Sequence, residues 1–164
     1  MTQDQAMSRT TLFSSCRNYR YALWRTWGDG NFVMFIGLNP STADETKDDP
    51  TIRRCVRFAK DWGYAALCMA NLFAYRATQP SDMMRAHDPI GQDNDATLAM
   101  LARNATLIVA AWGTRGGYLM RDKAVLSSMP RLHVLGLTKE GYPSHPLYLP
   151  ASSRPTVWDS GDSI

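Results

Sequence analysis

The chain has 164 residues, 45% of them apolar and 20% charged, with a formal net charge of +3. That size suits one domain with a substantial core, and so mild a charge permits nucleic acid or nucleotide binding without requiring it. No apolar stretch approaches a membrane span, Met1 to Gln5 lacks a signal-peptide pattern, and three scattered cysteines (Cys16, Cys55, Cys68) offer no CxxC pair, so the expectation is a cytoplasmic chain with no membrane association, no metal and no cofactor.

Residues 1–10 are polar and expected to fray, which leaves residues 11–164 as a single α/β domain. From Tyr19 to Trp27 apolar and polar residues alternate as in a half-buried strand, and Gly28-Asp29-Gly30-Asn31 reads as a turn into the apolar run Phe32–Ile36. The two segments are expected to form a hairpin. Leu38 to Asp49 is a polar loop, and Asp48-Asp49-Pro50-Thr51 is a helix start, with an Asp cap and Pro at the first helical position. The helix that follows places Ile52, Cys55, Val56, Ala59 and Trp62 on one face, and Arg53, Arg54, Arg57 and Lys60 largely on the other.

Next come a strand at Ala65–Ala70, a loop from Asn71 to Pro80 and a short helical turn at Ser81–Arg85. A polar connector then caps a helix running to about Arg103. A strand at Thr106–Ala111, a helix from Gly116 to Ser128 and a strand at Leu132–Leu135 follow, while the four prolines of the tail beyond Gly136 argue against any regular element there. Strand alternating with helix implies an α/β fold of three layers, α/β/α. Its central sheet is expected to be mostly parallel and four-stranded, with an antiparallel hairpin strand added at the N-terminal side.

Four apolar strands end in polar turns, which is how open α/β sheets build a binding crevice. In Gly37-Leu38-Asn39-Pro40-Ser41-Thr42 the glycine admits close backbone approach, while Asn39, Ser41 and Thr42 supply donors and acceptors. The turn reads either as a loop that grips substrate or as an Asx turn stiffened by proline. Asn71 can read a base edge, with Phe73 or Tyr75 available for stacking; equally, it can cap a turn over a core phenylalanine. Trp112-Gly113-Thr114-Arg115-Gly116-Gly117 exposes amides that suit phosphate, or simply packs a strand tightly against a helix. His145, held between Ser144 and Pro146, is placed to transfer a proton or stabilise negative charge. Arg53, Arg54, Arg76 and Arg115 are the candidate phosphate contacts. The carboxylates at Asp44, Glu45, Asp48, Asp49, Asp88, Asp93 and Asp95 read mostly as caps, and none stands out as a base.

Together, Gly37–Asp44, Asp49–Arg54, Asn71–Thr78, Ala111-Trp112-Gly113 and His145–Leu149 closely resemble domain-of-unknown-function family 1643, over a span from about Tyr19 to Leu149. The order of motifs is also similar to that of the uracil-DNA glycosylase superfamily. There a Gly-x-Asn/Asp-Pro turn positions the attacking water, a strand-ending Asn reads the base, and a late His-Pro segment stabilises the departing base anion. The likeness implies a water-positioning role for Asn39, base reading for Asn71, anion stabilisation for His145 and an apolar wedge at Leu147. It also implies a three-layer α/β/α fold of that superfamily's kind.

The expected function is hydrolysis of a nucleobase N-glycosidic bond in DNA or in a nucleotide. A non-catalytic nucleotide or nucleic-acid binding module is the alternative, favoured by the amide at Asn39, which can orient a water but cannot take its proton. A third possibility is a transferase or hydrolase of small phosphorylated metabolites that uses the Trp112-Gly113 turn.

Overall fold

The computed structural model describes residues 7–129 and 131–158. Its strands are β1 (Ser8–Phe13), β2 (Arg20–Thr26), β3 (Phe32–Gly37), β4 (Ala66–Asn71), β5 (Leu107–Ala110), β6 (His133–Val134) and β7 (Thr156–Val157). Its helices are α1 (Pro50–Asp61), α2 (Pro80–Met84), α3 (Asn94–Asn104) and α4 (Arg121–Ser128), with 3-10 segments at Thr114–Met120 and Pro146–Tyr148. Among the described residues the result is an α/β fold around one mixed, 7-stranded sheet in the order β1-β2-β4-β3-β5-β6-β7. The pairs β3–β4, β3–β5 and β5–β6 are parallel, whereas β1–β2, β2–β4 and β6–β7 are antiparallel.

Side chains alternate across the central strands, and each face of the sheet collects its own core. Val33, Phe35, Leu67, Met69 and Val109 meet Ile52, Cys55, Phe58 and Ala59 of α1 on one face. Met34, Ile36, Cys68, Ala70 and Ile108 meet Leu98 and Leu101 of α3 and Val125 of α4 on the other. Strand β4 is buried at every position, as expected of a strand covered on both sides. Burial of Ile52 and Phe58 contributes about 1.5–3 kcal/mol each to seating α1. The start of α1 matches the expectation: Asp49 is the N-cap, its side chain accepts the Ile52 N–H at 2.9 Å, and Pro50 opens the first turn.

Four expectations are corrected. The sheet has 7 strands rather than four parallel ones with one addition. The hairpin expected between the Tyr19–Trp27 segment and β3 does not form, because β4 lies between β2 and β3 and the antiparallel partners of β2 are β1 and β4. Residues 1–6 lie outside the described residues, but Ser8–Thr10, expected to fray, are paired with β2. The proline-rich tail contributes β7, which closes on β6 and so continues the sheet beyond Gly136.

The expected helix over Gly116–Ser128 is also divided. A 3-10 stretch gives way to α4 through Leu119 and Met120, both at φ 54. Gly116 and Gly117 lower the helical preference of this segment, and a β-carbon at Gly116 would stand 2.1 Å from the Trp112 ring. Close packing on that indole, rather than helix propensity, dictates the path of the chain here.

Candidate functional site

Strand β3 hands its chain to α1 on one face, while its two neighbours, β4 and β5, hand theirs to α3 and α4 on the other. Loops therefore diverge at the carboxyl ends of these strands, which is the switch-point geometry that opens a crevice in α/β sheets. A cleft of about 500 Å³ lies there, within the range of small-molecule sites. Gly37 and Asn71, at the ends of β3 and β4, stand opposite each other in register and both face it. Trp112 follows β5 and borders it, as do the Asp49 cap of α1 and the His145–Tyr148 turn.

The Asn39 amide is oriented by its neighbours. Its Nδ2 donates to the carbonyls of Ala77 at 2.8 Å and Pro40 at 3.1 Å. Carbonyls only accept, so the amide nitrogen must be the atom that faces them and Oδ1 is left as an acceptor on a cleft-lining residue. This is an acceptor suited to a water or a substrate hydroxyl.

Asn71 is only 3% exposed, and its Nδ2 is buried without a protein partner. Its own strand end is clamped from behind: fully buried Asn94 donates through Nδ2 to the carbonyls of Asn71 and Leu72, each at 3.0 Å. Arg121 Nε adds a bond to Leu72 O at 2.8 Å. A buried donor lacking a partner costs about 1–3 kcal/mol, a cost that a ligand acceptor would remove.

His145 Nδ1 accepts the Leu147 N–H at 3.2 Å and so caps the Pro146–Tyr148 turn. The neutral ring must then carry its proton on Nε2, which makes that nitrogen a donor. Burial lowers the His145 pKa below the usual 6.5, with the negative charge of Asp49 opposing. At neutral pH the ring is therefore an uncharged hydrogen-bond donor beside a carboxylate.

Two charged cleft residues were not foreseen. Asp49 was read as one cap among many; it does cap α1, but it also stands in the cleft. Arg20 was read as one polar position of an alternating strand. In the structure Leu12 pairs with Ala22 and Phe13 with Arg20, so Tyr21 is an extra residue and β2 is bulged. A bulge changes which face the following side chains take. Arg20 reaches the α1 side, where Nη1 donates to Ala43 O at 3.0 Å and the side chain borders the cleft. Only the register of β1 against β2 reveals this, and a single strand carries no such signal.

The foreseen residues divide in two groups. Gly37, Leu38, Asn39, Pro40, Ser41, Thr42, Asn71, Trp112, His145 and Leu147 all border the cleft. Phe73 does not: it is fully buried in the core against Tyr118, so it has no face to stack on a ligand. Gly113 and Arg115 border an adjoining cavity of about 510 Å³, which shares Trp112 and His145 with the cleft. Arg76 borders, with Arg17, an adjoining groove that shares Ser41, Thr42, Ala77 and Thr78 with the cleft, and both guanidinium groups lie over the Phe13 ring. Arg53 is exposed, with Nη1 donating to Asp48 O at 3.4 Å. Arg54 is tied to the Leu149 carbonyl and lies over Phe58, 5.2 Å from the ring centre, so its charge is engaged in packing.

Among the described residues, no helix is long and apolar enough to cross a membrane. No group of three or more His, Cys, Asp or Glu side chains is arranged to hold a metal ion among the same residues. The family described as "Protein of unknown function (DUF1643)" matches residues 20–147, a span that holds nearly every element bordering the cleft. No curated protein and no solved structure matches the chain. With the match covering most of its length, the chain belongs to the DUF1643 family.

Proposed function

We propose that the cleft hydrolyses the N-glycosidic bond of a nucleobase carried on DNA or on a nucleotide, in the manner of the uracil-DNA glycosylases that its motifs resemble. The observation that carries this reading is the convergence of Asn39, Asn71 and His145 on one cleft. In the proposed step a water held by Asn39 Oδ1 attacks the anomeric carbon of the sugar. The bond from that carbon to the base nitrogen breaks, its electron pair leaves with the base, and the proton of the water passes to Asp49. His145 Nε2–H donates to the departing base anion, in a partly buried setting where such a bond is stronger than in water. Asn71 Nδ2 donates to an acceptor on the base edge. Leu147, 45% exposed at the rim, is the apolar side chain available to fill the space left by an extruded base.

Binding without chemistry is the second reading, and the amide at Asn39 is the observation that favours it, since no carboxylate occupies that turn. The two are separated by a panel of nucleotides and of uracil- or mismatch-containing oligonucleotides. Gel shift and thermal shift report binding, and strand scission at abasic sites reports base removal. Abasic sites or free base formed by the wild type, and lost in His145→Ala, support hydrolysis. Binding with no base released supports the module.

A further inference from the structure

Three arginines are buried, and one of them differs from the other two. Arg25, fully buried, pairs with Asp48 at 2.8 Å and donates to the carbonyls of Trp24, Asp44 and Lys47. Arg121, 4% exposed, pairs with Asp95 at 2.5 Å and bonds Leu72 O. Both are structural clamps whose charge is met within the protein. Arg20, 2% exposed, has no carboxylate within ion-pair distance among the described residues, one bond to a carbonyl, and a buried Nε without a protein partner. It alone of the three borders the cleft.

Burial pulls the Arg20 guanidinium down to about 10, with the charge of Asp49 opposing, so it stays charged at neutral pH. A buried charge is costly unless paired. Asp49 attracts it from a distance but spends Oδ1 on the Ile52 N–H at the start of α1. The hydroxyls of Ser41, Thr42, Thr51 and Thr78 line the same cleft. A guanidinium with nearby hydroxyls is the donor set that phosphate oxygens take.

We propose that Arg20 is the counter-charge for a phosphate monoester on the ligand, and that the cleft therefore takes a free nucleoside monophosphate in preference to a neutral nucleoside or a base within a strand. Arg20 is only 2% exposed, and a terminal phosphate group reaches so covered a residue more readily than a diester flanked by sugars on both sides. The assignment rests on the preceding functional reading only for the ligand being a nucleotide. It requires no hydrolysis.

The test is calorimetric titration of the full chain with five probes: inorganic phosphate, a pyrimidine nucleoside 5′-monophosphate, the matching nucleoside, the free base and a short single-stranded oligonucleotide without terminal phosphate. Wild type, Arg20→Lys and Arg20→Met are compared, and free base is measured chromatographically in the same samples. The expected result is monophosphate binding roughly 10- to 100-fold tighter than nucleoside in the wild type. Inorganic phosphate competes, and the preference collapses in Arg20→Met. Because Arg20→Met removes a buried group, the wild type is also followed by NMR of the arginine Nε–Hε resonances, where the Arg20 signal is expected to shift on addition of phosphate. Equal affinity for nucleoside and monophosphate, no binding of any phosphate probe, tighter binding of the oligonucleotide, or an unmoved Arg20 resonance overturns the assignment. Arg20-dependent binding without base release leaves the phosphate site standing and removes the hydrolase reading. Base release that ignores both phosphate and Arg20 does the reverse.

Discussion

Gly37 and Asn71 are register partners on parallel strands, and a β-carbon on Gly37 would lie 2.8 Å from Asn71 Oδ1. The absence of a side chain at one position is what lets the amide of the other stand at the cleft wall. Replacement of Gly37 by alanine must therefore displace the Asn71 side chain, which is packed against buried neighbours with little room to yield. Gly37→Ala is expected to weaken ligand binding by at least about tenfold while costing about 1–3 kcal/mol of stability, in line with overpacking elsewhere. Calorimetric binding and denaturant unfolding of the same protein check both halves; unchanged affinity would show that Asn71 does not touch the ligand.

Asp49 carries two tasks that two substitutions pull apart. Asn is as good an N-cap as Asp, so Asp49→Asn is expected to keep α1 and to alter stability by less than about 0.5 kcal/mol, whereas Asp49→Ala costs about 1 kcal/mol. If Asp49 takes the proton of the attacking water, both variants lose turnover by roughly 100-fold or more. Full turnover in Asp49→Asn would return Asp49 to a purely structural role.

Acid is expected to weaken the fold through His145. The folded protein holds this ring below the usual 6.5, through burial first, so the unfolded chain binds the proton more readily. The stabilisation from keeping the ring neutral is fully present above pH 6.5 and is lost as the pH falls toward the folded-state value. His133, also lowered by burial, adds a contribution of the same sign. Protonation at Nδ1 additionally removes the acceptor for the Leu147 N–H. The fall in unfolding free energy on the acid side is therefore expected to be shallower in His145→Gln than in the wild type, and an identical slope in urea titrations at several pH values would contradict the assignment.

Arg25 separates structure from function among the buried arginines. It ties β2 to the segment before α1 through Asp48 and the carbonyls of Asp44 and Lys47. Removal of one partner of a buried pair costs about 3–5 kcal/mol, and that loss is expected for Arg25→Met by chemical denaturation. A loss below about 1 kcal/mol would mean that Arg9, 3.0 Å from the same Asp48 oxygen, or solvent already meets the Asp48 charge.

The cleft was legible where its residues end strands. Gly37, Asn71 and Trp112 each mark an apolar run passing into a polar turn, and His145 stands out between Ser144 and Pro146 in the loop after the last expected strand; both signals depend on local sequence alone. What failed were features set by pairing between distant segments. The Gly28–Asn31 turn is a sound hairpin signal, yet β4, far along the chain, takes the place beside β2. The bulge that turns Arg20 toward the cleft exists only against β1, and Phe73, read as a stacking surface, is claimed by the core. The division of the 114–128 segment follows from the close fit of Gly116 to Trp112, a tertiary contact that overrides helix periodicity.

The most direct measurement of the proposed chemistry is chromatographic detection of free base after incubation of the wild type and His145→Ala with nucleoside monophosphates and with uracil-containing oligonucleotides. The account predicts base released by the wild type and a rate lower by roughly 100- to 1,000-fold in His145→Ala, the scale seen when one preorganised donor is removed, with a melting temperature lower by about 2–4 °C through loss of the cap on the Leu147 N–H. No free base from any substrate in the wild type, or equal release by the two proteins, would contradict it.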